Sequence, residues 1–424
     1  MAKQYIAGRR KAPLAAALFA AGLVSACAMA PQAPLVSAQE VDSFAARYPA
    51  SVQRLYRQVP LQGQRNAALN HMRAGLAALD IGATDAAAGS FDEVLKTIET
   101  IYADNPDASR ARSVWHRESV KDFKGEAYER AMAYYYRGVA YLMQGDYQNA
   151  RASFRGGLLQ DSFMEGDERM VSDFGALAFL EGWAGRCAAL DRGTVRSSFE
   201  EANKRNPSLR EPAEGNRLLV LFESGSAPKK IASGSRNEVL RYVPSALPPL
   251  PRVTLEMVGL RAEAVQAEDI YFQAASRSGR MVDAINAGKV EYKNTTGTAG
   301  RVATTAGAGL ALAGLASGNR DLGLAGLGLM VAGVAAQAAS NAMETEADAR
   351  QWDNLPGNIM IGSFPFRAPA GAGQEVRVTF KRDGDVQRRG LPVRAAGACA
   401  VAWGREVPAS AIADTAPFSV VAVR

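Results

Sequence analysis

Histidine and cysteine are scarce in this chain, which has two of the former and three of the latter among 424 residues. Zinc sites and imidazole-based catalysis depend on these side chains, and no cysteine cluster has the spacing of a metal site. His71 and His116 are most simply structural residues of helices. We therefore expect no metal site, no cofactor and no enzymatic activity.

A large excess of charge of one sign is missing as well. The chain has 49 basic and 43 acidic residues, and four of the basic ones lie among residues 1–26. Without that segment, 45 basic residues face 43 acidic ones, for a net charge of about +2, so we expect no nucleic acid partner. A hydrophobic content of 48% is typical of folded proteins, and the length predicts more than one domain.

Residues 1–26 have the three parts of a secretory signal peptide. A basic region up to Lys11 is followed by an apolar core at 14–24, and small residues precede Cys27. The apolar core is shorter than the ~20 residues that a membrane-spanning helix needs. The segment therefore predicts export and removal of the signal.

The sequence Val24-Ser25-Ala26-Cys27 resembles the bacterial lipobox, an aliphatic residue and two small residues before a cysteine. Ordinary cleavage at the A-x-A of residues 26–28 is the alternative. An acylated Cys27 would carry several chains, which anchor a protein far more durably than one chain. Asp commonly marks inner-membrane retention, and Ala28 stands there instead. We predict a lipid-anchored protein on the outer membrane, facing the periplasm, with 27–40 as its linker.

Helical periodicity dominates residues 41–215, which we predict to be an α-helical domain. The spacing of aromatic and small residues in one part matches the tetratricopeptide (TPR) pattern: Tyr134, Gly138, Tyr141, Ala150 and Phe154. Two weaker copies are His71, Gly75, Gly82, Ala87 and Phe91, then Phe179, Val195, Phe199, Ala202 and Pro207. We predict a TPR-like α-solenoid of three degenerate repeats; a generic helical bundle is the alternative.

Solenoids of this kind bind peptides or proteins along a concave face. In the central repeat, the TPR pattern places Tyr135, Val139 and Leu142 nearer that face than Tyr134 and Tyr141. These three residues are the predicted partner-binding groove. Packing of Tyr135 on a neighbouring helix is the alternative.

Strand patterns follow the helical part. Short β-rich or alternating runs separated by glycine and proline lie at 218–222, 239–243, 253–258, 359–366, 375–380, 391–394, 399–403 and 418–423. We predict a small antiparallel β-sandwich, with 216–273 as its first part and 356–424 as its C-terminal part. The fold class is thus α+β.

Residues 274–355 interrupt the strands and are predicted to be inserted helices, with helical patterns at 274–288 and 344–355. Between these, residues 302–341 form a Gly/Ala-rich apolar hairpin split by a polar turn. Three interpretations remain open: a hairpin packed against the protein, which we favour, one inserted in a bilayer, and an oligomer contact. Small residues would allow close helix packing in each.

If Cys27 is acylated, Cys187 and Cys399 remain, in different predicted domains. We expect two buried free thiols, and a disulfide between them is the alternative.

Three further groups of residues in the sequence contain charged side chains. Glu126 and Glu129 stand at i,i+3 on one helix, where two carboxylates could serve an enzyme, but salt bridges on the helix surface explain them better. Gly225 with Lys229 and Lys230 lacks the spacing of a phosphate loop. A basic patch that is either solvated or in contact with anions surrounds one turn: Lys381, Arg382, Arg388 and Arg389.

Taken with these features, the stretches 124–130, 223–229 and 346–356 resemble those of a poorly characterised proteobacterial lipoprotein family with TPR-like helical repeats. The resemblance implies little chemistry. We expect a non-enzymatic scaffold that binds other envelope proteins or peptides and the membrane through its anchor. The alternative is a structural component of an export or surface-assembly complex that forms a homo-oligomer or inserts through 302–341.

Overall fold

The structure is a computed structural model of the chain. It describes residues 36–102, 122–162, 172–233, 239–277, 348–367 and 374–410, together with Leu312 and Leu329. The signal segment, Cys27, the hairpin 302–341 and the strand predicted at 418–423 all lie outside the described residues, apart from Leu312 and Leu329 within the hairpin.

The first half of the described chain is helical, as predicted. Three short helices lead into six longer ones, and two 3-10 turns, Ala50–Val52 and Gln64–Asn66, lie among the first of them. The helices are α1 Ala38–Ala45, α2 Gln53–Tyr56, α3 Gln58–Gln62, α4 Ala67–Asp80, α5 Thr84–Tyr102, α6 Ala127–Gln144, α7 Tyr147–Ser162, α8 Gly175–Cys187 and α9 Arg192–Arg205.

The six longer helices pack as three consecutive pairs, α4 with α5, α6 with α7, and α8 with α9. In each pair a glycine of the first helix lies against a phenylalanine ring of the second: Gly75 against Phe91, Gly138 against Phe154, and Gly182 against Phe199. A Cβ atom at Gly138 would lie 2.4 Å from a carbon of the Phe154 ring, which is closer than two non-bonded carbon atoms can come. Glycine is therefore what allows these two helices to pack so closely.

Strands and one helix make up the rest. They are β1 Asn216–Ser224, β2 Lys229–Ser233, β3 Val239–Val243, β4 Val253–Met257, β5 Leu260–Glu263, β6 Val265–Asp269, α10 Ile270–Arg277, β7 Asn358–Pro365, β8 Glu375–Arg382, β9 Asp385–Pro392, β10 Arg394–Ala396 and β11 Cys399–Arg405. Each run predicted as a strand between 218 and 403 overlaps at least one of these strands.

The strands form three sheets. A five-stranded sheet has the order β10-β11-β1-β7-β6, a four-stranded sheet has the order β5-β4-β8-β9, and β2 pairs with β3. All pairs are antiparallel except β1 with β11, where Leu218 lies opposite Ala400. The antiparallel prediction is therefore wrong for that one pair.

Strand β1 is buried on both faces and separates two hydrophobic cores. Leu219 and Leu221 point into the core shared with the helices. Leu218, Val220 and Phe222 point into the core between the five-stranded and four-stranded sheets, where the rings of Phe222 and Phe380 lie 5.6 Å apart. The described chain is therefore built in three layers, helices on the five-stranded sheet and that sheet on the four-stranded one.

Cys187, the last residue of α8, and Cys399, the first residue of β11, form a disulfide. The expectation of two free thiols is therefore wrong. Their Cα atoms are 5.7 Å apart, across 212 residues of sequence. The bond fastens the helical layer to the five-stranded sheet, which the sequence pattern could not reveal because the two residues meet only through the fold.

The helix predicted at 344–355 is not formed over 348–355, which has no helical residues. This segment instead donates and accepts hydrogen bonds across the helical layer. Trp352 N–H donates to Glu129 Oε1 at 2.6 Å, and Arg73 makes a two-point ion pair with Asp353. These long-range contacts replace the local hydrogen bonds that a helix would use.

The helix predicted at 274–288 begins as α10, and its remainder lies outside the described residues. None of the helices within the described ranges is long and apolar enough to cross a membrane.

Candidate functional site

A buried carboxylate, Glu223 at the end of β1, joins α6 to the five-stranded sheet. Its Oε1 accepts hydrogen bonds from Tyr135 Oη at 3.1 Å and from Trp403 Nε1 at 2.9 Å. Its Oε2 accepts from Tyr136 Oη at 2.9 Å. Burial raises the pKa of Glu223, against the opposing effect of nearby Arg405. These three hydrogen bonds tie α6 and β11 to the same carboxylate, so the arrangement stabilises the contact between the helix and the sheet.

Arg405 lies beside Glu223 and has unused donor groups. Its Nε is 3.6 Å from Glu223 Oε2, a charge contact too long for a hydrogen bond. Its Nη2 donates to the Asn354 carbonyl at 2.8 Å. The residue is only 4% exposed, and Nε and Nη1 have no hydrogen-bond acceptor. Within the described residues, two of its donor groups are therefore not used by the protein itself.

A cleft of about 380 Å³ opens beside Arg405, and we call it the arginine cleft. It lies where the ends of α4 and α6 face β9, β10 and β11. Its apolar lining includes Met143, Leu391 and Trp403, and its charged lining consists of Asp80, Arg389, Arg394 and Arg405. A mixture of apolar walls and a few charged groups is typical of ligand-binding clefts of this size. This cleft is therefore the candidate site.

Arg389 reaches the cleft because of strand alternation. Its neighbour in the ladder is Val378, whose side chain is in the core between the sheets, so Arg389 lies on the inner face of β9. Arg388 pairs with Thr379 and lies on the outer face. The predicted basic patch is thus divided between two faces, and Arg382 is held by a two-point ion pair with Glu406.

A second buried ionic cluster lies at the start of α6. Lys230 Nζ is 2.8 Å from Glu126 Oε1, and Glu129 Oε2 accepts from the Glu126 N–H at 2.8 Å. Burial acts to raise the pKa of Glu126, but the neighbouring Lys230 outweighs it and the pKa is lowered. Burial raises the pKa of Glu129. The salt bridge expected of Glu126 is thus confirmed, but it lies inside the protein rather than on the helix surface, and its partner is on β2. Glu129 instead accepts hydrogen bonds from two backbone N–H groups.

The predicted partner groove is closed in this structure. Tyr135 and Val139 are 0% exposed and Leu142 is 4% exposed. They belong to the core that α6 shares with the sheet. The face of α6 expected to be concave and open is therefore covered by strands, and packing of Tyr135 is the interpretation that the structure favours.

Other sequence candidates have structural roles where they are described. His71 lies in α4, and burial lowers its pKa. Gly225 N–H donates to Glu406 Oε2 at 2.9 Å, so with Lys230 in its ion pair no phosphate-binding loop forms. No group of His, Cys, Asp and Glu within the described ranges could hold a metal ion.

Sequence reasoning missed Arg394, Arg405 and Glu223 as parts of one site. Each stands in or beside a predicted strand, and no pattern in the sequence around it indicates a site. Only the parallel pairing of β1 with β11 places Glu223 opposite Arg405. No family model, curated protein or solved structure matches the chain, so its function is argued from its own residues.

Proposed function

We propose that this protein is a lipid-anchored, non-enzymatic scaffold of the bacterial envelope. The observation that carries the proposal is how the three cysteines are used. Cys187 and Cys399 are joined to each other, so Cys27 at the lipobox is the one cysteine left for acylation. Disulfides persist in oxidising compartments such as the periplasm, which agrees with an exported chain.

The architecture supports binding rather than catalysis. The half-buried carboxylate of Glu126 and the buried ones of Glu129 and Glu223 are each engaged by two or more described groups of the protein itself. The three glycine–phenylalanine contacts between paired helices support the TPR-like interpretation of the helical layer, because this small-to-large packing recurs at a spacing of 16 residues in the first two pairs and 17 in the third. The partner surface proposed here is not the covered face of α6.

Acylation is tested by expressing the chain with a labelled palmitate precursor in a Gram-negative host. Wild-type protein should take up the label and fractionate with the outer membrane, whereas Cys27→Ser should take up none and remain a precursor or become soluble. The variant with both Cys187→Ser and Cys399→Ser is the matched control and should be labelled like wild type. Unlabelled wild-type protein, or label retained by Cys27→Ser, would contradict the anchor.

The scaffold role is tested by crosslinking in living cells followed by identification of the crosslinked proteins. A scaffold should yield the same envelope proteins in repeated experiments, and the yield should fall for Cys27→Ser because that variant is no longer held at the membrane. A chain that yields no reproducible partner at native abundance would contradict the role.

A further inference from the structure

The arginine cleft has an excess of positive charge that the protein does not compensate. The side chains of Arg389 and Arg394 make no hydrogen bond or ion pair in the described part of the chain. Among the residues that line the cleft, Asp80 is the one that is acidic. Its Oδ2 accepts a hydrogen bond from the Ala409 N–H at 3.0 Å. Glu223 lies below the cleft, and its negative charge is set against the positive charge of Arg405. With Glu223 set against Arg405, the charges of Arg389 and Arg394 face the single carboxylate of Asp80, which leaves the cleft with a net positive charge.

The floor of the cleft supplies an independent observation. Arg405 is buried, lines the cleft, and has no acceptor for Nε and Nη1. A guanidinium donates in a planar fork that matches the two oxygens of a carboxylate. The positive charge of this guanidinium therefore attracts an anion in the cleft, and Arg389 and Arg394, which also line it, are the residues placed to bind that anion directly.

The cleft is also continuous with a sheet edge that no other described strand covers. Strand β9 is the last strand of the four-stranded sheet, and all of its residues except Leu391 are exposed. Its residues Arg389, Gly390, Leu391 and Pro392 belong to both the edge and the cleft. An extended peptide can pair with such an edge through its backbone while its side chains enter adjoining pockets. A small ion could contact the arginines but could not form backbone hydrogen bonds with β9, whereas an extended peptide could do both.

We propose that the arginine cleft binds a carboxylate of an extended peptide segment in a partner protein, with the peptide backbone along β9. This deepens the proposed scaffold function and rests on it. The carboxylate lies between Arg389 and Arg394, and an apolar neighbour in the peptide lies against Met143 and Leu391. Arg405 adds positive charge from below.

The proposal is tested with the full mature chain, purified in detergent with its disulfide intact. It is screened against a random hexapeptide library displayed with free C termini, and one enriched peptide is synthesised with a twin in which each carboxylate is an amide. The enriched peptide should carry an acidic side chain or need its C-terminal carboxylate. The twin should bind about tenfold or more weakly, because charge-assisted hydrogen bonds are lost.

Two variants locate the contact. The double variant Arg389→Ala with Arg394→Ala should lose about tenfold or more in affinity for the peptide but none for its amide twin. It should unfold at the wild-type temperature, since neither arginine has a partner within the described residues. Arg388→Ala, one residue away on the outer face of β9, is the matched control and should bind like wild type.

Equal binding of the peptide and its amide twin to the wild-type chain would overturn the proposal without any variant. So would equal affinity of the double variant, or a library that yields no enriched peptide. Inorganic phosphate is titrated in parallel, and if it displaces the peptide stoichiometrically at micromolar concentration, the cleft is a small-anion site and the peptide is rejected. If crosslinked partners persist in cells carrying the double variant, the scaffold function stands and the cleft is not its docking site.

Discussion

Lys230 on β2 and Glu126 at the start of α6 form an ion pair, with Nζ and Oε1 2.8 Å apart. The Lys230 side chain is 2% exposed and that of Glu126 is 20% exposed. Lys230 also donates to the Arg350 carbonyl at 3.1 Å. One lysine thus connects the two-stranded sheet, the first turn of α6 and the extended segment before β7.

Lys230→Met should destabilise the protein strongly. The substitution leaves Glu126 and the buried Glu129 without their cation, and breaking a buried pair from one side costs about 3–5 kcal/mol. The loss is measured as a lower urea midpoint. Adding Glu126→Gln to this variant should recover part of it, because one of the two uncompensated charges is removed. An unchanged midpoint for Lys230→Met would show that the pair contributes nothing.

Gly138→Ala should destabilise the chain by about 1–3 kcal/mol, because the added methyl group overlaps the Phe154 ring. Gly89 in α5 is the matched control, since a Cβ atom there has nothing within 4 Å. Gly89→Ala should stabilise by about 0.5–1 kcal/mol through helix propensity. Both changes are read from urea unfolding. Equal effects of the two substitutions would contradict the close helix contact.

Removal of the disulfide should lower the free energy of unfolding by about 2–4 kcal/mol, because the bond closes a long loop in the unfolded chain. The variant with Cys187→Ser and Cys399→Ser is compared with wild-type protein with and without a reductant. Reductant should shift the wild-type urea midpoint towards that of the variant and leave the variant unchanged. Two reactive thiols in unreduced, unfolded wild-type protein would show that the bond does not form.

Stability should fall as the pH rises through the range in which Glu268 ionises in the unfolded chain. Glu268 accepts from Gln273 Nε2 at 2.9 Å and from the Ala176 N–H at 3.2 Å. Burial raises its pKa to about 8, and the nearby charge of Asp161 adds to the shift. Below pH 4.5 both states are protonated, and between pH 4.5 and 8 mainly the unfolded state ionises. The contribution of Glu268 is thus full at low pH and is lost by pH 8.

Glu268→Gln should remove this pH dependence. The variant should gain up to a few kcal/mol over wild type at pH 8, since each pKa unit corresponds to about 1.4 kcal/mol, and little near pH 4.5. Urea midpoints at pH 5, 6.5 and 8 measure the difference. Exposed Glu200→Gln, which removes only a surface pair with Arg196, should follow the wild-type curve. A variant that loses stability at pH 8 would contradict the raised pKa.

Local patterns predicted the elements well. The apolar run at 218–222 lies inside β1, and Gly138 and Phe154, which match the TPR spacing, lie on two helices that pack closely in the structure. Such signals depend on residues a few positions apart, for which the period of a helix or strand is enough. This is why the helical half and most strands could be found without the structure.

Such local patterns could not predict which elements pack against each face of a helix or strand. The exposure of Tyr135 depends on β1, 88 residues away along the chain, and the state of Cys187 depends on a residue 212 positions later. Likewise, residues 348–355 have a helical composition but extend across the helices through hydrogen bonds such as that of Trp352 to Glu129. The candidate cleft was missed for the same reason, because its arginines converge only in the folded chain.

The position of β1 also determines the order in which parts of this fold can form. Both neighbours of β1 in the sheet, β7 and β11, come after it in the chain, and β11 ends at Arg405. A chain that emerges from its N terminus, whether from the ribosome or through a translocation channel, presents α4 to α9 long before the strands that cover them. Non-local pairing of this kind slows folding and leaves apolar surface exposed in intermediates. The helical layer is thus expected to need protection by a chaperone until the last strand arrives.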